Sequence, residues 1–245
     1  MVKRKFGLEL ESFGLTGKQI SDIVGTVSGG RFVDNLHTHY GDTFFDGKTW
    51  QGMRDGSIGN TGYLPDGTSV RPKSAGMYPA SWSSPGTHEV VSPVLKGGKG
   101  MKDALKVVRG LNKAGAQVDI STGLHVTFGL DNARWQRMGP KKRAKTLKRL
   151  VDSYNWFGPG INSIVAPSRR GGQWAAFNDL YDSLTSKYSA VNLSKFASGG
   201  VVEFRQHQGT LDPKKVRNWV NLLDKLLNFS TNEEFKNIDF KDFNR

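Results

Sequence analysis

The chain has 245 residues, 36% of them apolar, 23% charged and 11% aromatic, with 30 glycines and no cysteine. That balance excludes a disordered chain, glycine without a triplet period excludes a collagen-like fold, and the absence of cysteine excludes disulfides, thiolate metal sites and thiol nucleophiles. A net charge of +13 suits a partner rich in phosphate or carboxylate. In chain order, period-two alternation predicts strands over 4–11, 31–39, 48–54, 87–92, 117–120, 123–129, 189–193 and 200–207. Helical periodicity falls between them. Behind a cap at Thr16, Ile20, Ile23, Val24 and Val27 share a face, and over 101–114 Leu105, Val108 and Leu111 point inward with Gly115 as the stop. Pro140 starts a helix whose stripe is Leu147, Leu150, Val151 and Tyr154, and Phe177, Leu180, Tyr181 and Leu184 form another stripe. The last helix carries Asp212 as cap, Pro213 in the first turn, then Val216, Trp219, Val220, Leu223 and Leu227. The mixed order predicts an α+β fold, with an antiparallel or mixed sheet and helices on one face.

The expected organisation is a single domain over 1–245. One stretch stands apart: from Ser57 to Gly86, fifteen of thirty residues are Gly, Pro or Ser, with Tyr63, Tyr78 and Trp82 embedded, which reads as an active-site flap or an insertion. No apolar run approaches the ~20 residues of a membrane-spanning helix. The basic start Met1-Val2-Lys3-Arg4-Lys5 leads into Glu9 and Glu11 and not into an apolar segment, so a cytoplasmic protein without membrane association is expected. Eight basic residues and no acidic one lie between Arg134 and Arg149 (Arg134, Arg137, Lys141, Lys142, Arg143, Lys145, Lys148, Arg149). This patch is either the solvated face of a helix or a surface for phosphate, nucleic acid included.

The chemistry concentrates on four strands. In 6–11, Glu9 and Glu11 share a face opposite Phe6, Leu8 and Leu10; two neighbouring carboxylates repel unless a cation or arginine lies between them, and the alternative is a merely wet strand face. In 201–207, Glu203, Arg205 and His207 are predicted to share a face, and in 123–128 His125 and Thr127 do. Glu89 interrupts an otherwise apolar strand after His88. If these faces line one side of one sheet, the carboxylates and an imidazole suit Mg²⁺ or Mn²⁺, and the arginine suits a transferring phosphoryl group. No phosphate loop is present: between Gly41 and Gly47-Lys48-Thr49 the gap is five residues, and it holds Phe44 and Phe45. No zincin motif or nucleophile elbow occurs. His37 and His39 could share a strand face, with ordinary hydrogen-bonding histidines as the simpler expectation.

In order, the chain carries FGLELE (6–11), W-x-x-x-x-DGS (50–57), HEVVSPVLKG (88–97), GLHVTFG (123–129), SRR (168–170) and VEFRQHQGTLD (202–212) before a Trp-bearing helix. This set resembles the small amidoligases of phages, bacteria and fungi within the glutamine synthetase/glutamate–cysteine ligase superfamily, over about Phe6 to Leu227. The resemblance implies a glutamine synthetase-like sheet that curves around an active site. It implies ATP-dependent ligation of a carboxylate and an amine, with Mg²⁺ or Mn²⁺ as metal. It also implies metal-binding roles for Glu9, Glu11, His125 and Glu203, a role for Glu89 as metal ligand or amine-site carboxylate, and a phosphate contact for Arg205. Arg169 or Arg170 would meet nucleotide or substrate carboxylate, and Asp55 would sit at the substrate; His207 shares the arginine's strand and is placed in the binding set. Many relatives carry a second histidine where this chain has Thr127. The expected location becomes a host cytoplasm if a phage encodes the chain. The competing expectations are a basic nucleic-acid-binding protein on the same scaffold, and a relative that turns over nucleotide without forming an amide.

Overall fold

The computed structural model describes residues 2–36, 47–130, 133–172 and 174–231. The elements are β1 (Lys5–Leu15), α1 (Gly17–Ser28), β2 (Arg31–Leu36), β3 (Gln51–Arg54), β4 (Gly62–Tyr63), β5 (Ser69–Val70), β6 (Gly86–Val91), β7 (Leu95–Lys96), α2 (Gly97–Lys113) and β8 (Gly123–Gly129). They continue with α3 (Ala133–Gln136), α4 (Pro140–Trp156), α5 (Gly158–Ile164), α6 (Leu180–Thr185), β9 (Val191–Asn192), α7 (Phe196–Gly199), β10 (Val201–Gln208) and α8 (Pro213–Thr231). The main sheet runs β2-β3-β6-β1-β8-β10-β9, with β7 also paired to β1. Its pairings are antiparallel except for β2 on β3. The fold is therefore α+β with a mainly antiparallel, open sheet. No helix among the described residues is long and apolar enough to cross a membrane.

Local chemistry accounts for the helices. The α1 start is a capping box: the Thr16 hydroxyl accepts from the Gln19 N–H at 3.2 Å, and the Gln19 side chain accepts from the Thr16 N–H at 2.9 Å. In α8 the Asp212 carboxylate accepts from the Lys214 N–H at 2.7 Å, one turn before the stripe Val216, Trp219, Val220, Leu223 and Leu227 is buried. These helices cover the apolar face of the sheet. Leu8, Leu10, Val90, Leu124, Val126, Phe128, Val202 and Phe204 are all at most 2% exposed and form one cluster with the inner faces of α1, α2, α4 and α8. Phe204 lies 5.4 Å from the Tyr154 ring of α4 and edge-on to Phe128 at 6.1 Å.

Three expected elements differ. Residues 117–120 form no strand beyond a single bridge from Phe13 to Gln117, because the chain turns there around Asp119. The strand expected over 189–193 contracts to β9. The Phe177 stripe is not one helical face: Asp179 caps α6 through the Asp182 N–H at 2.9 Å, so the helix starts after Phe177, and Tyr181 is 72% exposed. Phe177 instead packs against Tyr154, with ring centroids 6.1 Å apart.

The Gly/Pro/Ser-rich stretch folds into a turn-rich segment with the β4–β5 hairpin, fastened by one carboxylate. Asp119 Oδ2 accepts from the N–H and hydroxyl of Ser74 (2.8 and 2.6 Å), and Oδ1 accepts from the N–H and hydroxyl of Ser121 (2.9 and 2.6 Å). Burial raises the Asp119 carboxyl, but these donors from Ser121 and Ser74 outweigh it and hold it below its ordinary value. We expect Asp119→Ala to loosen the segment and to speed tryptic cleavage after the exposed Lys73 roughly tenfold, from the loss of about 1–2 kcal/mol of local stability. Limited proteolysis with mapped cut sites checks this.

Part of the basic segment serves the fold. The Arg143 guanidinium donates to the carbonyls of Trp135 and Gln136, Arg149 donates to the Ser230 carbonyl on α8, and Lys148 pairs with Asp152 at 2.6 Å.

Candidate active site

The polar face of the sheet is assembled by register. Directly opposed residues of an antiparallel pair point to the same side. Glu9 of β1 opposes His125 of β8, Glu11 opposes Glu89 of β6, and Glu203 of β10 opposes Thr127 of β8. Four neighbouring strands thus deliver Glu89, Glu9 with Glu11, His125, and Glu203 to the face turned away from the helices.

His125 sits at the centre, 3% exposed. Its Nδ1 lies 3.2 Å from Glu9 Oε2 and 3.5 Å from Glu203 Oε1, and its Nε2 lies 3.6 Å from Glu11 Oε1. Glu9, His125 and Glu203 each offer a ligand atom, and these atoms lie within 4.8 Å of one another. Two carboxylates and an imidazole are a donor set for a divalent cation of the Mg²⁺ or Mn²⁺ type. Glu11 is held beside them, its Oε2 accepting the Gly123 N–H at 2.6 Å.

Electrostatics sorts the four glutamates. Burial raises the Glu9 carboxyl, but the His125 hydrogen bond and the charges of His125, Lys195 and Arg205 lower it to about 2. Glu89 goes the other way: burial, then repulsion from Glu9, Asp55 and Glu11, raises it well above the ordinary carboxylate range.

Two arginines border the cluster. Arg205 Nη1 donates to Glu203 Oε1 at 2.6 Å; burial opposes its charge, but Glu203, Glu9 and Glu11 raise it overall. Arg169 lies at the end of the 3₁₀ turn Pro167–Arg169, is 3% exposed, and donates through Nη2 to the Thr122 carbonyl at 2.6 Å. Burial, with Arg205 nearby, lowers Arg169 to about 10 against the pull of Glu11 and Asp119. The Nε atoms of Arg169 and Arg205 are buried with no hydrogen-bond partner among the described residues. A buried unpaired donor costs roughly 1–3 kcal/mol, a cost that an arriving phosphate or carboxylate oxygen would relieve.

Other expected residues fall around this centre. Asp55 is buried, with its Oδ1 accepting from the N–H and hydroxyl of Ser57 at 2.7 Å, and its charge reaches Glu89. Arg170 is exposed and donates to the Val165 carbonyl at 3.3 Å, so of the two neighbours Arg169 is the one set beside the carboxylates. Thr127 lies on the site face, opposite Glu203. His37 and His39 lie outside the described residues.

His207 corrects the expected grouping. The β10–β8 register shifts between Phe204 and His207, so His207 opposes the core residue Leu124. The bulge turns its ring onto the helix side, 5.0 Å from Trp219 of α8, with Nδ1 donating to the Gln208 carbonyl. Burial lowers it below the ordinary imidazole value. Arg205 and His207 therefore do not share a face. His88 also lies off the site, between the Ser12 hydroxyl (2.8 Å) and the Gly86 carbonyl (3.1 Å), and burial lowers it to about 4.

The structure adds residues absent from the expectation. Asn192 of β9, 3% exposed, donates to Glu203 Oε2 at 2.6 Å, and Lys195 projects its charge onto Glu9. Thr122 takes two donors on one carbonyl, Arg169 at 2.6 Å and the Gly209 N–H at 2.8 Å. A Cβ on Gly209 would collide with the Thr122 hydroxyl and stand 2.8 Å from its Cβ. Gly209→Ala is thus expected to cost about 2 kcal/mol by overpacking and to displace Arg169, both readable by urea denaturation with and without added phosphate.

The mainly antiparallel α+β sheet thus gathers acidic groups, one imidazole and two buried arginines on one face. The family described as "Putative amidoligase enzyme" matches residues 2–176, and the chain belongs to that family. The matched span holds Glu9, Glu11, Asp55, Glu89, His125 and Arg169 and stops before β10, so Glu203 and Arg205 join the site on geometry alone. No curated protein matches the chain.

Proposed function

We propose that the chain is an ATP-dependent carboxylate–amine ligase. A substrate carboxylate oxygen takes the γ-phosphoryl group as ADP leaves. An amine nitrogen then attacks the acyl carbon of the acyl phosphate, releasing phosphate and losing a proton to give the amide. The observation that carries this reading is the convergence of Glu9, His125 and Glu203 beside two buried arginines whose Nε atoms lack partners.

Glu9, His125 and Glu203 would hold the first divalent metal, with Glu11 and Glu89 on its flank. Mg²⁺ or Mn²⁺ held there would supply positive charge to offset what builds up on the phosphoryl oxygens. Arg205, steered by Glu203, and Arg169, steered by the Thr122 carbonyl, would bind the anionic oxygens of nucleotide and acid. Asp55 stands where an amine-bearing substrate would meet a negative wall. The segment 57–86 would set which acid and amine are admitted, with the nucleotide held by the sheet.

A thermal-shift titration tests this directly, because a ligand that binds only the folded state raises its apparent stability. ATP with Mg²⁺ or Mn²⁺ should raise the midpoint more than either alone, after which acid–amine pairs are screened for ADP release and amide mass. If nucleotide and metal leave the midpoint unmoved while single-stranded or duplex DNA raises it, the ligase reading fails and the basic segment 134–149 carries the function. Turnover of ATP without any amide would instead reduce the reading to phosphoryl transfer or hydrolysis.

A further inference from the structure

We propose that the turn Asn192–Lys195 is a working part of the site, in which Asn192 positions Glu203 and Lys195 is a substrate-binding cation that closes over the anionic group held between the metal ligands and the arginines. This inference rests on the ligase reading and extends it to residues that no motif of the chain announces.

The geometry begins at the sheet edge. Asn192 directly opposes Glu203 in the β9–β10 ladder, so the two side chains share the site face. The buried amide of Asn192 works in both directions. Its Nδ2 donates to Glu203 Oε2 at 2.6 Å, and its Oδ1 accepts the N–H of Ser194 at 2.9 Å. One side chain therefore ties the carboxylate to the backbone of the turn that follows. Glu203 is left with Arg205 on Oε1 and Asn192 on Oε2, which fixes the plane of its carboxylate toward His125.

The same tie fixes where Lys195 begins. Lys195 stands at the start of α7, is exposed, and its side chain makes no hydrogen bond or ion pair among the described residues. Its charge is nonetheless felt by Glu9, two strands inward from β10, and contributes to holding that carboxyl low. Arg205 and Arg169 are immobilised by partners and burial, whereas Lys195 is an exposed point charge on a flexible stem. A cation whose charge reaches Glu9 has an anion to complete it once a metal has taken that carboxylate.

The charge logic gives a test in which two ligands respond with opposite sign. Mn²⁺ binding is measured alone by the EPR signal of the free ion, and adenylyl imidodiphosphate binding at saturating Mn²⁺ by calorimetry. Lys195→Ala removes a repelling charge from the metal, so Mn²⁺ should bind roughly threefold tighter, while the nucleotide analogue should bind about tenfold weaker. Lys195→Arg should restore both, and Asn192→Ala should weaken Mn²⁺ by loosening Glu203. A merely structural Lys195 would move both ligands the same way or neither, and that result overturns the proposal while the ligase reading stands. No Mn²⁺ binding to the unaltered protein would overturn both.

Discussion

Under the proposed ligase reading, Glu203→Ala is expected to abolish the joint stabilisation by nucleotide and metal and to lower turnover roughly a thousandfold or more, since losing a metal ligand and the partner of a phosphate-binding arginine would each cost several kcal/mol in the transition state. Three neighbours depend on this one carboxylate: His125 at 3.5 Å, Arg205 at 2.6 Å and Asn192 at 2.6 Å. Without it, Arg205 keeps only the fields of Glu9 and Glu11 and swings toward them, into the space a metal would take. The folded state should lose some stability as well, because the buried Asn192 amide and Arg205 are left without their acceptor, a loss only partly offset by the departure of one of several mutually repelling carboxylates. Glu203→Gln keeps the shape and separates charge from packing. Its unliganded midpoint should match the parent while its response to metal is lost. Thermal denaturation of the three proteins, each with and without ATP and Mn²⁺, decides the matter; a Glu203→Ala protein still stabilised by both ligands together would remove Glu203 from the site.

The second large effect lies one residue on and on the opposite face. Phe204 is fully buried against Phe128 and Tyr154, and Phe204→Ala should cost about 3–5 kcal/mol through lost contacts and a cavity the rigid sheet cannot close. For a chain of this size that corresponds to a fall in midpoint of about 10 °C. Urea unfolding at neutral pH measures it. The molecules that remain folded should bind Mn²⁺ as before, since the site residues are carried by the other side of the strand. The paired outcome is the informative part: Glu203→Ala folds without binding, and Phe204→Ala binds without stability.

Alternation made this division readable before any coordinates. Phe6, Leu8 and Leu10 against Glu9 and Glu11, and Leu124 and Val126 against His125, gave both faces of the sheet, and the register then brought the acidic positions together. Period-two counting cannot see a bulge, so it groups His207 with Arg205, although one inserted residue turns His207 to Trp219. The expected strand at 117–120 failed for a related reason. Asp119 with Ser121 and Thr122 two and three residues on is the pattern of a side chain bonding its own backbone, and that turn competes with strand pairing. Asn192 left a fainter trace, a single amide breaking an apolar edge strand. Lys195 left none, because only the fold shows which way a cation on a turn points.

The fastening at Asp119 bears on how such a protein can change. Of the segment 57–86, Ile58 and Ala80 are the only apolar side chains among the core residues, and its hold on the neighbouring loop runs through Ser74 and the Gly59 N–H, which meet Asp119 and Ser121. Turns secured by a few polar pegs can be exchanged, lengthened or recoloured with little consequence for the hydrophobic interior, provided that Tyr78 to Trp82 keep their backbone bonds to α1 and β6. If that segment selects the substrates of the proposed ligase, new ones could be explored by drift in its turns while the sheet face stays constant, so that novelty and durability are inherited from separate parts of one chain.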